Sequence, residues 1–315
     1  MGLIDRILTS DIFKDQPPVL VDIGASGKIH QKWKRIAKYA TCIAFDADER
    51  DFKAENDEKS NYKKLLIKRN LVSDLAGQSA DFYLTQSPHC SSLLKPDSES
   101  LKDWAYSPIF TVEKTEKLTT TDIPVTLSEF GITYIDWYKS DSQGIDLRLF
   151  KSIAPAIRNK ITIAEFEPGI LDAYQQEDKL ADLLSYQDTQ KTFWLADLQV
   201  KGPIRMPHEK LSEVIPNPFL QKVLGKVGNT APGWTEMTFC NQFKDPDMLN
   251  QRSLMMGWIA ATLIGQHGFA YTLADKGIEI GGNALFQEMK KRSARKLRSE
   301  FFSFRYLTWL LNKLS

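Results

Sequence analysis

Short apolar runs, several closed by an acidic residue or a glycine, recur along the chain and are separated by stretches of helical periodicity. Pro17 and Pro18 stop the segment before them, and Val19, Leu20 and Val21 then read as a buried strand. Asp22, Gly24, Ala25, Ser26 and Gly27 follow, leading into a helical pattern over residues 28–39. A second strand over 42–45 ends in Asp46-Ala47-Asp48, and a third begins at Leu65-Leu66-Ile67, with residues 71–74 completing that unit. A further strand is expected over 80–84, an extended segment over 111–127 with a brief helix to Gly131, and a strand over 134–141. That last strand runs into Ser142-Gln143-Gly144 and a helix over 145–157, repeating the first strand–turn–helix junction. Strands over 160–166, 192–200 and 235–242 and helices over 177–186 and 247–266 complete the pattern, the last helix amphipathic. Strands alternating with helices predict an α/β domain around a mostly parallel sheet.

The ends divide from this core. Residues 1–16 read as a short amphipathic helix on a domain spanning 17–282. Within the domain, the Pro- and Gly-rich stretch 201–234 is too long for a plain connection and reads as a lid or acceptor-binding insertion. Residues 283–315 form a helical tail, basic from Lys290 to Arg298 and aromatic from Phe301 to Trp309. Its composition suits packing on the domain or, over 290–310, contact with phospholipid headgroups.

Composition narrows the function classes. A net charge of +1 provides no field to draw in nucleic acid. Cys42, Cys90 and Cys240 are too few and scattered for a disulfide framework or a zinc site, so a reducing cytoplasm is expected. No secretory signal opens the chain, and Arg6 stands where a myristoylation motif wants Ser or Thr. The longest apolar run, over 254–264, is too short to span a bilayer.

The chemistry gathers at the strand tips. A glycine turn after a first strand lets the backbone approach a ligand, and a following helix N-terminus offers N–H groups to an anion. An acid at the second tip, Asp46, suits a ribose diol. Gly24 and Gly27 lack the spacing and the third glycine of a dinucleotide fingerprint, which weakens a nicotinamide oxidoreductase and favours S-adenosylmethionine. Asp141 and Gly144 are expected in the same crevice, since ligands of open α/β sheets lie beyond the carboxyl ends of the strands. The loop 88–93 adds His89 and Ser92.

The runs Val21-Asp22-Ile23-Gly24-Ala25-Ser26-Gly27, Phe45-Asp46-Ala47-Asp48, Cys90-Ser91-Ser92-Leu93 and Ile135 to Gly144 together resemble the FkbM-type methyltransferases across residues 17–200. That resemblance implies a class I methyltransferase (Rossmann-like) fold with seven strands and helices on both faces, and S-adenosylmethionine as donor. It also implies O-methylation of a glycan, lipid-linked or related hydroxylated acceptor. Ser26, Asp46 and Asp146 stand where the family usually has Asn, Glu and Glu. The donor's amino-acid end is then expected at Asp22 and the turn Gly24 to Gly27, its ribose at Asp46 and its adenine near Val72, Ser73 and Asp74, with Ser92 close by. Asp141 is the first candidate base and His89 the second. Asp141 is alternatively a contact for the donor's ammonium or a partner of Asp146 at a metal, though no metal site is predicted. A non-catalytic interaction protein, docking on a membrane or partner through the C-terminal tail, is the competing expectation.

Overall fold

The computed structural model describes residues 2–25, 30–48, 50, 61–302 and 306. Among the described residues ten strands form in chain order. They are β1 (Val19–Ile23), β2 (Thr41–Phe45), β3 (Lys64–Lys68), β4 (Leu71–Val72), β5 (Ser79–Thr85), β6 (Val112–Thr121), β7 (Trp137–Ser140), β8 (Ile163–Phe166), β9 (Phe193–Lys201) and β10 (Trp234–Asn241). Seven make one sheet in the order β3-β2-β1-β7-β8-β10-β9, and β4-β6-β5 form a small second sheet. Numbered within the large sheet alone, the order reads 3-2-1-4-5-7-6. Within the large sheet β10 runs antiparallel to β8 and β9, while the other pairings are parallel. The chain is therefore α/β, with a mostly parallel seven-stranded sheet compatible with a Rossmann-like fold.

Every residue of β1 and β2 is buried, which is why these strands read as unbroken apolar runs rather than alternating ones. From β1 the chain moves to one side through β2 and β3, then returns to its other side at β7. This reversal opens a crevice at the carboxyl ends of β1 and β7. One core, including Trp33, Trp137, Trp258 and Phe286, packs the face shared by Leu20; the other, including Tyr138, Phe150 and Phe166, packs the face of Val21 and Ile23.

Several elements differ from the sequence expectation. In place of a helix over 28–39, the described part holds two 3-10 turns, Gln31–Trp33 and Ala37–Tyr39. A segment this short is a marginal helix in water, and like charges at Lys34 and Lys38 oppose it further. Burial of Trp33 and Ile36 sets its path instead. The amphipathic N-terminus is two helices, Leu3–Leu8 and Asp11–Asp15. Pro124 starts a helix, Ile123–Glu129, capped by the Asp122 carboxylate, rather than ending an extended run. The helix expected over 145–157 breaks into Asp146–Ser152 and Pro155–Arg158, where Pro155 lacks an N–H to continue the first. The insertion 201–234 carries two helices, His208–Val214 and Pro218–Val227.

Helix Gln251–Leu263 is not amphipathic. Residues 254–261 are all buried, and the N-terminal helices and helices His267–Glu279 and Ala284–Ser299 enclose it. The last of these belongs to the core. Phe286 seats over Gly277 and Gly282, where a Cβ would lie 2.1 and 2.4 Å from its ring. Trp258 Nε1 donates to Ser293 Oγ at 2.8 Å, and Arg6 forks onto Glu288 at 2.7 and 2.8 Å. The aromatic tail of Phe304 and Trp309 lies outside the described residues, as does the charged stretch 51–60. Among the described residues no helix is long and apolar enough to cross a membrane.

Candidate functional site

The tips of β1, β2 and β7 are tied together by backbone. Gly24 and Ala25 both donate to the Phe45 carbonyl, at 3.0 and 3.1 Å, and Asp141 N donates to Ile23 O at 3.1 Å. Gly24 has φ +74°, and a Cβ there would sit 2.3 Å from the Asp141 carbonyl oxygen. Only glycine permits that closeness. Asp46 and Asp141 thus emerge at the same end of the sheet, on either side of the β1 tip.

Two cavities open there. Gly24, Asp46, Leu71, Val72, Phe82 and Ile145 contribute to the first, which encloses about 100 Å³ and opens to solvent. The second lies among Tyr106, Phe110, Glu167, Tyr174 and Trp234, with about 410 Å³. His89, Asp141 and Gln143 line both and form the wall between them.

The predicted residues separate on this geometry. Gly24, Asp46, His89, Ser92 and Asp141 line the first cavity. Ser26 and Gly27 lie outside the described residues, while Ala25 is buried in the core below. Asp22 does not line the cavity: alternation along β1 turns it to the Leu20 face, and Ile23 reaches the cavity instead. Ser73 and Asp74 do not line it either. Ser73 N pairs with Thr121 O at 2.8 Å, drawing the chain away, and Asp74 is exposed, so the neighbouring wall is Asn70, Leu71 and Val72. The helix N-terminus expected after β1 is absent from the described residues.

Asp22 belongs to a charged row running across the strands. Register places Asp22, Lys139, Glu165 and Thr238 side by side. Lys139 Nζ sits 3.5 Å from Asp22 Oδ1, Lys32 pairs with Glu165, and Trp137 Nε1 donates to Glu165 Oε1 at 2.6 Å. Burial raises the Asp22 pKa more than Lys139 lowers it.

Around Asp141 the wall is closely braced. Gln143 is held at φ +57°, an uncommon conformation for a residue with a side chain, and its Nε2 donates to Asp141 Oδ1 at 2.5 Å. The Tyr174 hydroxyl lies 2.9 Å from both Gln143 Oε1 and the Cys90 carbonyl oxygen, and its single proton serves either. Ser92 Oγ donates to the Gln143 carbonyl at 2.7 Å, pinning the loop 88–93 to this turn. Burial raises the Asp141 pKa, against the lowering influence of Lys139 and the Gln143 hydrogen bond. Asp48 is engaged by Arg50 at 2.6 and 2.9 Å and by Ser91 Oγ at 2.9 Å, so it serves as a brace. Asp146, considered as a metal partner for Asp141, instead accepts from Ser140 Oγ at 2.6 Å, from both Ser142 donors and from Glu167 N at 3.0 Å. Among the described residues no group of three or more His, Cys, Asp or Glu is placed to hold a metal ion.

Gln143, Glu167, Tyr174 and Trp234 escaped the sequence reading as site residues. Glu167 carried a usable signal, since it follows a strand tip as Asp141 does. Tyr174 lies in a connecting segment and Trp234 begins an antiparallel strand, so neither is marked by a strand tip of the parallel set. Comparison with family models, with curated proteins and with solved structures finds no match to this chain in any of the three.

Proposed function

We propose that this chain is an S-adenosylmethionine-dependent O-methyltransferase acting on a hydroxyl of a glycan or related, in some cases lipid-linked, acceptor in the cytoplasm. The observation that carries the reading is the pair of cavities meeting at a shared wall of His89, Asp141 and Gln143. Group transfer needs two bound molecules brought end to end, and such a wall positions both. The sheet order, with its one reversed strand, is also what a class I methyltransferase fold would present.

In this reading the first cavity takes the base and ribose of an adenosyl donor. Leu71, Val72, Phe82 and Ile145 offer an apolar slot for the base, and the Asp46 carboxylate at the β2 tip faces a diol. Bound there, the donor supplies a methyl group on a positively charged sulfur. On this reading Asp141 takes the acceptor hydroxyl proton, and its raised pKa makes it a stronger base once ionised. Gln143 positions that carboxyl, and Gly24 keeps the main chain close enough to share the wall. His89 lines both cavities and is the second candidate for the proton. The competing interaction-protein reading gains nothing from helix Ala284–Ser299, whose Phe286 and Met289 already pack into the domain.

Calorimetry with S-adenosylmethionine and S-adenosylhomocysteine tests the reading. The wild type should bind both, and Asp46→Ala should weaken binding by about 10- to 100-fold, the loss of a charged hydrogen bond of ~1.5–3 kcal/mol. A folded wild type that binds neither would end this account.

A further inference from the structure

Glu167 and Glu177 face the second cavity but not the first, and the four aromatic side chains do the same. Together with Asp141 they give the second cavity three carboxyl groups, and no lysine or arginine lines it among the described residues. Glu177 is already satisfied by Ala173 N at 2.8 Å and by Lys179 Nζ at 3.0 Å. Glu167 is not. Its N–H is used by Asp146, but its carboxyl oxygens accept no hydrogen bond from any described residue. Burial and the neighbouring Asp141 push that carboxyl up to about 9, so it holds its proton at neutral pH. The charged groups acting on it are Asp141 and Lys139 at β7, Asp146 on the following helix and Glu236 on β10, three acids against one base.

The rings make the rest of the environment. Tyr106 stacks on Trp234 at 16° with centroids 6.3 Å apart, and Phe110 meets Tyr106 and Tyr174 edge-on at 5.1 and 5.6 Å. Aromatic faces carry partial negative charge and attract a poorly hydrated cation, most strongly where water is excluded. A mostly buried acid that accepts no hydrogen bond, with Lys139 as the one base acting on it against three acids, is left short of positive charge on the side where the rings lie.

We propose that the second cavity binds an organic cation, an ammonium-bearing small molecule, with Glu167 as its counter-ion and the rings of Tyr106, Phe110, Tyr174 and Trp234 against its carbon shell. Where that molecule is the methyl acceptor, the proposal rests on the function given above; as a binding site it stands without it. Binding ionises Glu167, so a proton leaves the protein as the cation enters.

The probe is choline, compared with its neutral isostere carrying carbon in place of nitrogen, titrated into the full chain at neutral pH by ligand-observed NMR and calorimetry. Choline should bind at least about tenfold tighter than the isostere. Glu167→Gln, which copies the neutral acid of the empty cavity, should leave the melting temperature in place and abolish the preference. Trp234→Leu should weaken choline several-fold, and Asp46→Ala, in the first cavity, should leave it unchanged. If Glu167→Gln does not fold, the wild type still decides: choline affinity should climb with pH towards about 9, and its heat should depend on the buffer's ionisation enthalpy. Equal or absent binding of the two probes overturns the proposal. So does a preference that survives in Glu167→Gln or disappears in Asp46→Ala. S-adenosylhomocysteine binding, measured on the same samples, reports on the first cavity alone, so either reading can fail without the other.

Discussion

Lys139→Met removes the positive charge around which the carboxyl groups of Asp22, Asp141, Glu165 and Glu167 are arranged. The lysine side chain is 13% exposed and its ammonium lies 3.5 Å from Asp22 Oδ1. At an effective dielectric of about 20 that separation corresponds to ~5 kcal/mol of attraction. Burial alone lowers the lysine pKa, yet the surrounding carboxylates raise it overall, so attraction exceeds the cost of desolvation. Without the ammonium, Asp22 stays charged and uncompensated or takes up a proton; breaking such a pair costs about 3–5 kcal/mol. The pH dependence has a definite sign. Asp22 and Asp141 already have folded pKa values above their unfolded ones, and the substitution lifts them further. Between the ordinary carboxyl range near 4 and those raised values, the folded state holds protons that the unfolded state has released. Stability therefore falls as pH rises through that window and levels off above it. Urea unfolding midpoints, taken from about pH 4 to pH 8, should show the variant losing least at the acid end and about 3–5 kcal/mol at the alkaline end. Adding Asp22→Asn should recover part of the loss, since the unpaired charge is then gone. A deficit below about 1 kcal/mol, or one equal at every pH, would refute the reasoning.

Arg252 forks onto Asp136 with both contacts at 2.8 Å, and Asp136 Oδ2 also accepts from Val19 N at 2.9 Å. Arg252→Ala should cost about 3–5 kcal/mol in chemical denaturation, and a change within error would show the pair to be dispensable. Deleting residues 284–315 empties the Phe286 and Met289 positions, worth ~1.5–3 kcal/mol each, and strands the Trp258 N–H. The shortened chain should melt far below the full one; an unchanged melting temperature would make the tail a separable appendage. Methyl transfer should rise with pH as Asp141 ionises above the ordinary carboxyl range, and a flat profile from about pH 5 to 9 would take the base role from it.

The strand tips were legible because their signals are local. Apolar runs closed by Asp46 and Asp141 sit where the chain leaves a buried strand, and Gly24 marks the turn that Asp141 O crowds. Helices were less so. Residues 31–39 carry a helical spacing of apolar positions, but burial of Trp33 against Trp137 decides their path, and that contact joins residues more than a hundred positions apart. Asp22 failed in another way: its place near a tip was readable, but which face it took depended on the register of β1 against β7. The second cavity was invisible to the pattern, since it assembles His89, Asp141, Glu167, Tyr174 and Trp234 from separate segments. By itself the sequence determined most of the strands and their tips, because burial period and turn chemistry act over a few residues. Only the tertiary structure decided which side chains meet, because strand order and register are set by packing the whole sheet at once.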